Sequence, residues 1–291
     1  MDFGQKLKEI RKNEGLSQEQ LAEKIGVSRQ AITKWETGKG LPDIENMMIL
    51  AEIFKTTLDE LVSQAMPQNK IRKPTYHSET IYDIDCSKHF DIHLGNAKTI
   101  TICSGTDEKL HIDLASETLE NIGSLFKIKL NENRNKLDVE CDKKNELNKF
   151  EITDMLSVTI TLPINHTKHC ELEASAKELH LVNLVLERLE YDGDAENVTV
   201  VNCIGSLEFT AKTDYDITVD AIHGRLDLNQ WNAASIVHIP EDSDFRLLNK
   251  GRGCSICCQK DGESCEPCDS PESENILSIS GIKSELIVDL V

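Results

Sequence analysis

The stretch CSICCQKDGESCEPC, from Cys254 to Cys268, holds five of the ten cysteines of the chain: Cys254, Cys257, Cys258, Cys265 and Cys268. Cysteine thiolates bind soft metal ions, and closely spaced thiols also oxidise to disulfides. Two CxxC units face each other across KDGES, whose Asp-Gly pair signals a tight hairpin. Such a hairpin would bring the pairs together as a four-thiolate zinc site. The separation is shorter than the common ribbon spacing of about 15–20 residues, and a fifth thiol leaves the ligand choice ambiguous. A redox-active thiol set and a set with no dedicated role are the competing readings.

A second chemical cluster lies near the other end, in SRQAITKWE, residues 28–36. At helical spacing Arg29, Gln30, Thr33 and Lys34 share one face, opposite Ile32 and Trp35. Gln can donate to and accept from adenine at once, and Arg suits guanine or a phosphate. Lys39, just beyond, suits a phosphate. Ser28 precedes the segment as its N-cap. Elsewhere His166, His169 and Cys170 lie close together in INHTKHC, where strand alternation explains them as well as a metal does. Cys86, Cys103, Cys141 and Cys203 stand singly in strand-like runs and read as buried free thiols. No G-x-S-x-G, Walker loop, H-E-x-x-H or Rossmann glycine pattern occurs, so an enzyme is not expected.

The elements around these clusters divide the chain. Residues 1–63 show helical periodicity, and five short helices are expected there. Phe3, Leu7 and Ile10 line the first. Ser17 and Gln20 form a capping box for the second, which Gly26 ends. Ser28 opens the third, Asp43 the fourth, and Thr57 with Glu60 the fifth. Residues 64–77, with two prolines, read as a linker.

From residue 78 to 291 the period becomes two, in runs such as KTITIC, KLHIDL, KLDVEC and SLEFT. The triplets beginning at Leu172, Leu189, Leu207 and Leu226 recur at a nearly constant interval. An all-β domain follows, either a β-solenoid or a sandwich. The fold class is therefore multidomain α plus β.

The stretch SQEQLAEKIGVSRQAITKWETGKGLPD, residues 17–43, resembles the Cro/repressor-like (Xre) helix-turn-helix family of bacterial regulators. The resemblance covers about residues 3–63 and rests on the SQ…LA…G-VS pattern and on W-E-x-G-K with its following proline. It implies that Arg29, Gln30 and Lys34 lie near base edges, with Gln18 on the DNA backbone. It also implies that Arg11 of the first helix pairs with Glu36 to brace the third. The segments VTITLP and SIVHIPEDSDF are similar to adhesin-like (DUF4097-like) β domains.

Charge agrees with this division. Residues 1–73 carry 12 basic and 11 acidic side chains, whereas the remainder carries 20 and 40. The C-terminal part repels phosphate, which assigns any contact with nucleic acid to the N-terminal part. No apolar run is long enough for a transmembrane helix and the N-terminus lacks a signal-like apolar stretch, so a cytoplasmic protein without membrane contact is expected.

Together these readings give a sequence-specific transcriptional regulator, expected to be a homodimeric repressor on a pseudo-palindromic double-stranded operator. Zinc or thiol chemistry, an effector or a protein partner would act through the β domain. The rivals are a regulator whose β domain only binds a protein and whose cysteines are structural, and an enzyme or antitoxin-like module with secondary DNA binding.

Overall fold

The computed structural model describes residues 3–13, 16–36, 42, 44–54, 76–144, 149–266 and 270–291. The chain forms two compact units, Met1–Arg72 and Lys73–Val291. The expected fifth helix, Lys39 and Cys268 lie outside the described residues.

In the first unit, α1 (Phe3–Asn13), α2 (Gln18–Ile25), α3 (Arg29–Glu36) and α4 (Ile44–Ile53) surround a core of Leu7, Leu21, Ala22, Ile25, Ile32, Trp35, Leu50 and Phe54. The start of α2 follows from its capping box: Gln20 N donates to Ser17 Oγ at 3.1 Å and Ser17 N donates to Gln20 Oε1 at 2.8 Å. Gly26, at φ 81°, closes the helix in the left-handed region that glycine adopts without a Cβ penalty, and its N–H reaches Ala22 O. Two residues later Ser28 Oγ accepts from Ala31 N at 3.2 Å and starts α3. The tight connection between α2 and α3 thus comes from one left-handed glycine and one serine cap.

The second unit is a β-solenoid, which decides between the two β architectures the periodicity allows. β8 (Val185–Asp192), β10 (Ile204–Ala211) and β12 (His223–Trp231) stack in parallel on one face. On the other face β9 (Ala195–Val201), β11 (Asp216–Val219) and β13 (Ala234–Ile239) do the same. Two long strands, β2 (Lys88–Gly105) and β7 (Thr167–Val182), run through both faces and pair with each other in parallel. Before them in the stack come β5 (Lys136–Lys143) on one face and β6 (Ser157–Pro163) on the other. Antiparallel partners extend these outward: β4 (Phe126–Asn133) on β5, and β3 (Lys109–Ser116) on β6 with β1 (Tyr76–Asp83) beyond it. Strand β1 takes in Tyr76 and His77, two residues that the sequence reading gave to the linker.

Inward side chains from both faces make one core. Leu189, Leu207, Leu226 and Leu277 occupy successive rungs, as do Tyr191, Phe209, Leu228 and Ile279. Register corrects the internal repeat at its first copy. Leu189 sits beside Cys170, and Leu172 sits beside Tyr191. A two-residue shift keeps the same side chains facing inward, so alternation by itself could not detect it.

Chain order breaks at the C-terminal end. β14 (Arg246–Asn249), β15 (Ser255–Lys260) and the short β16 (Glu263–Cys265) form an outer rung. The last strands, β17 (Ile276–Ile282) and β18 (Glu285–Leu290), then insert between that rung and the β12–β13 rung. The cysteine-rich segment is therefore the cap of the solenoid, templated by strands that come after it in sequence.

Candidate nucleic-acid interface and cysteine-rich rung

Helix α3 sorts its residues by face as the periodicity predicts. Ile32, Trp35 and Glu36 are buried, whereas Arg29, Gln30, Thr33 and Lys34 are exposed. Ser28, also exposed, sits at the N-terminal end of this face. The exposed set presents an amide, a guanidinium, a hydroxyl and an ammonium side by side, the donors and acceptors that base edges and phosphates require.

A buried ion pair holds α3 against α1. Arg11 Nε lies 2.5 Å from Glu36 Oε1, its Nη2 donates to Glu36 Oε2 at 3.0 Å, and its Nη1 donates to Leu16 O at 2.6 Å. This two-pronged contact matches planar guanidinium to planar carboxylate. Burial pushes the Glu36 carboxyl upward, but hydrogen bonds from Arg11 and Gln18 and the Arg11 charge outweigh it, so the pKa lies below its ordinary value. The hydrogen bond to Glu36 raises that of Arg11.

Gln18 has a part that the sequence did not show. Its Nε2 donates to Glu36 Oε2 at 2.7 Å, and its Oε1 accepts from Thr33 Oγ1 at 3.3 Å. The Thr33 hydroxyl is also 3.0 Å from Arg29 O. Gln18 thus ties the start of α2 to the ion pair and to the exposed face of α3. An amide carries a second N–H, which remains the group for the backbone contact that the family resemblance implies. A glutamine one residue after a serine cap and fifteen before a threonine is too weak a pattern to signal such a bridge.

The cysteines of the outer rung are distributed by strand geometry. Parallel pairing with β18 keeps β15 extended, so the segment from Cys254 to Cys257 is not the compact turn of a metal knuckle. In an extended strand residues three apart are separated by about 10 Å. Cys257 is exposed, and its thiol approaches Glu285 Oε1 at 3.7 Å and Leu286 O at 3.9 Å. Its pKa is raised, by burial first and then by Glu285. Cys258 turns the other way into the core, 5% exposed. Cys254 Sγ accepts from Ser284 N at 3.4 Å. The expected hairpin does form: Asp261 and Gly262, at φ 53° and 78°, make the turn and set Cys258 opposite Cys265. Among the described residues no three His, Cys, Asp or Glu side chains gather as a metal cluster.

The other thiols follow burial. Cys170 and Cys203 are buried, which raises their pKa values to about 12 and about 11. Cys103 and Cys141 are half-buried, and Cys86 is exposed, so the reading of all four single cysteines as buried holds only for Cys203. His169 stacks on His89 with ring centroids 5.8 Å apart, on the side of β7 opposite the buried Cys170. A cleft of about 450 Å³ at the bend of the solenoid is lined by His93, Glu140, Cys141, Glu173 and Asp192. Burial pushes the Cys141 thiol up to about 11, so the cleft's one cysteine is protonated at neutral pH. No described helix is long and apolar enough to cross a membrane.

Comparison with known proteins agrees with the first unit. The helix-turn-helix family model HTH_3 matches residues 7–61. The HTH-type transcriptional activator BcrR of Enterococcus faecalis is 49% identical over 63 residues, which cover 22% of this chain and 31% of BcrR. The chain therefore spans about a third of that relative. The SPbeta prophage-derived uncharacterized HTH-type transcriptional regulator YonR of Bacillus subtilis is 32% identical over 79 residues, covering 27% of this chain and 73% of YonR. Among solved structures, a "putative cell adhesion protein" from Clostridium sporogenes is similar at 12% identity with a TM-score of 0.41, covering 75% of this chain and all of that one. With α3 presenting an exposed polar face over a braced helix pair, and with the family model and the two regulators above, the chain belongs to the helix-turn-helix family of transcriptional regulators.

Proposed function

We propose that this regulator binds a pseudo-palindromic operator as a homodimer, with Arg29, Gln30, Thr33 and Lys34 of each copy reading base edges. Ser28, Gln18 and Lys39 contact phosphates and set the register. The observation that carries this reading is the two-sided burial of α3, whose inner residues are locked by Glu36 and whose outer face is polar and exposed. A single unit of this size covers little DNA, so specific binding uses two half-sites about one helical turn apart. The acidic β-solenoid is the part assigned to hold the copies together or to receive a protein partner or effector. The sequence reading favours repression, whereas BcrR carries the name of an activator. Selection of bound sequences from a random duplex pool, followed by gel shift with wild-type and Gln30→Ala protein, tests the readout. Recovery of a two-fold symmetric site supports it, and recovery of no enriched sequence overturns it. A promoter fusion then gives the sign of regulation.

Control through the outer rung is a second element of the proposal, by zinc on its thiols or by thiol oxidation. It is supported by the density of cysteines on the exposed cap and by the hairpin that faces Cys258 with Cys265. Metal analysis of protein purified under reducing conditions, with operator binding measured with and without chelator, separates the two chemistries.

A further inference from the structure

The turn at Asp261 and Gly262 connects Lys260 and Glu263 as the closing pair of a two-residue hairpin. Pairs alternate along such a ladder between hydrogen-bonded and non-hydrogen-bonded, so Cys258 and Cys265, two positions further on, form a hydrogen-bonded pair. The Cα atoms of such a pair are about 5.5 Å apart, inside the range of about 4.4–6.8 Å that a disulfide spans. Directly opposed residues project to the same face.

The remaining thiols of β15 point elsewhere. Cys257 lies on the opposite face beside Glu285, and Cys254 takes the N–H of Ser284, so both are directed toward β18. Among the described thiols of this rung, Cys258 is the one that faces β16. Access is divided between the partners: Cys265 is exposed at the edge strand, and Cys258 is buried beneath it.

We propose that Cys265 and Cys258 are a hydroperoxide-sensitive pair that closes a disulfide across this hairpin and pins edge strand β16 to β15. In the first step the Cys265 thiolate attacks one oxygen of a hydroperoxide, the O–O bond breaks, and Cys265 becomes a sulfenic acid while water or an alcohol leaves. In the second, the Cys258 sulfur attacks the sulfenic sulfur, the S–O bond breaks, and its hydroxyl leaves as water with the Cys258 proton. The two thiols lose two electrons and the peroxide gains them. A bridge with its Cys265 sulfur exposed, at a hydrogen-bonded strand pair where the side chains start slightly further apart, is open to reduction by an added thiol. The bridge does not depend on the operator reading and can be tested without DNA.

The reduced full-length chain is titrated with hydrogen peroxide, quenched, alkylated and digested with trypsin without reduction. Cleavage after Arg252, Lys260 and Lys283 gives peptides 253–260 and 261–283, which carry Cys258 and Cys265 separately. The expected product is these two peptides joined, with fragment ions placing the link between Cys258 and Cys265 and with dithiothreitol separating them. Cys265→Ser, at an exposed position, abolishes the joined species, and Cys257→Ser leaves it in place. Cys258→Ser abolishes it too, with circular dichroism confirming that the buried substitution leaves the chain folded. Consumption of thiols without the joined peptides overturns the proposal. So does a link that persists in Cys258→Ser, or one formed from Cys265 to Cys268 alone.

Discussion

Glu36 receives hydrogen bonds from Arg11 and Gln18 on the same oxygen, Oε2, at 3.0 and 2.7 Å. One buried carboxylate therefore joins α1, the start of α2 and the end of α3. The exposed polar side chains Arg29, Gln30, Thr33 and Lys34 project from the helix that this carboxylate anchors.

Removing one member of a buried, hydrogen-bonded ion pair leaves the other charge without compensation, which costs about 3–5 kcal/mol. Arg11→Ala is expected to destabilise the helical unit by that order. Chemical denaturation followed by the fluorescence of buried Trp35 measures the change. A loss within about 0.5 kcal/mol, the range of ordinary surface substitutions, would show that the pair does not brace the fold.

Acid should act on the same carboxylate. Because the Glu36 pKa in the folded chain lies below its ordinary 4.5, the pair stabilises fully above that pH. The contribution is lost as pH falls from 4.5 through the lowered folded value, since the unfolded chain then binds the proton first. Thermal unfolding between pH 7 and pH 3 is expected to show this loss in the wild type. Glu36→Gln should be less stable at pH 7 and show a shallower acid slope.

On the exposed face of α3, Gln30→Ala should cost about 1–3 kcal/mol of operator affinity and relax preference at one base position. Lys39→Ala should weaken all sequences alike and reduce the salt slope by about one unit, as the loss of a phosphate contact does. Gel shifts at several salt concentrations, on operator and random duplex, distinguish the two behaviours. Unchanged operator affinity for Gln30→Ala removes that side chain from the readout.

In the solenoid, Gly281 lies at φ 92° with the position of a Cβ only 2.0 Å from Gln230 O of the neighbouring rung. Gly281→Ala forces the β17 and β12 backbones apart and adds left-handed strain of about 1–3 kcal/mol. A lowered melting temperature is expected. Faster alkylation of Cys258 should accompany it, because β17 and β18 are the strands against which the outer rung is built.

Much of this molecule was legible in the residues. Ser17, Gln20, Gly26 and Ser28 announce helix ends through local hydrogen bonds and backbone sterics, and all appear where expected. The Arg11–Glu36 pair came from resemblance and formed. The runs KTITIC, KLHIDL, KLDVEC and SLEFT are strands because alternation reports a half-buried pleat directly. Harder to see were the long strands β2 and β7, whose alternation is interrupted at Gly95–Asn96 and at Lys177–Glu178. The exposure of Cys86 was equally hidden, since it depends on the neighbours of a turn.

By itself the sequence determined which face of α3 is polar and exposed, where the period changes from 3.6 to two, and that Asp261-Gly262 reverses the chain. Each of these is a local property of dihedral preference or side-chain spacing. Only the tertiary structure decided that the β unit is a solenoid and that its last rung slots in behind the cysteine-rich one. It also decided that Cys258 faces Cys265 while Cys257 faces away. Those outcomes depend on register between strands far apart in the chain, and pairing at a distance leaves no mark on the alternation of either strand.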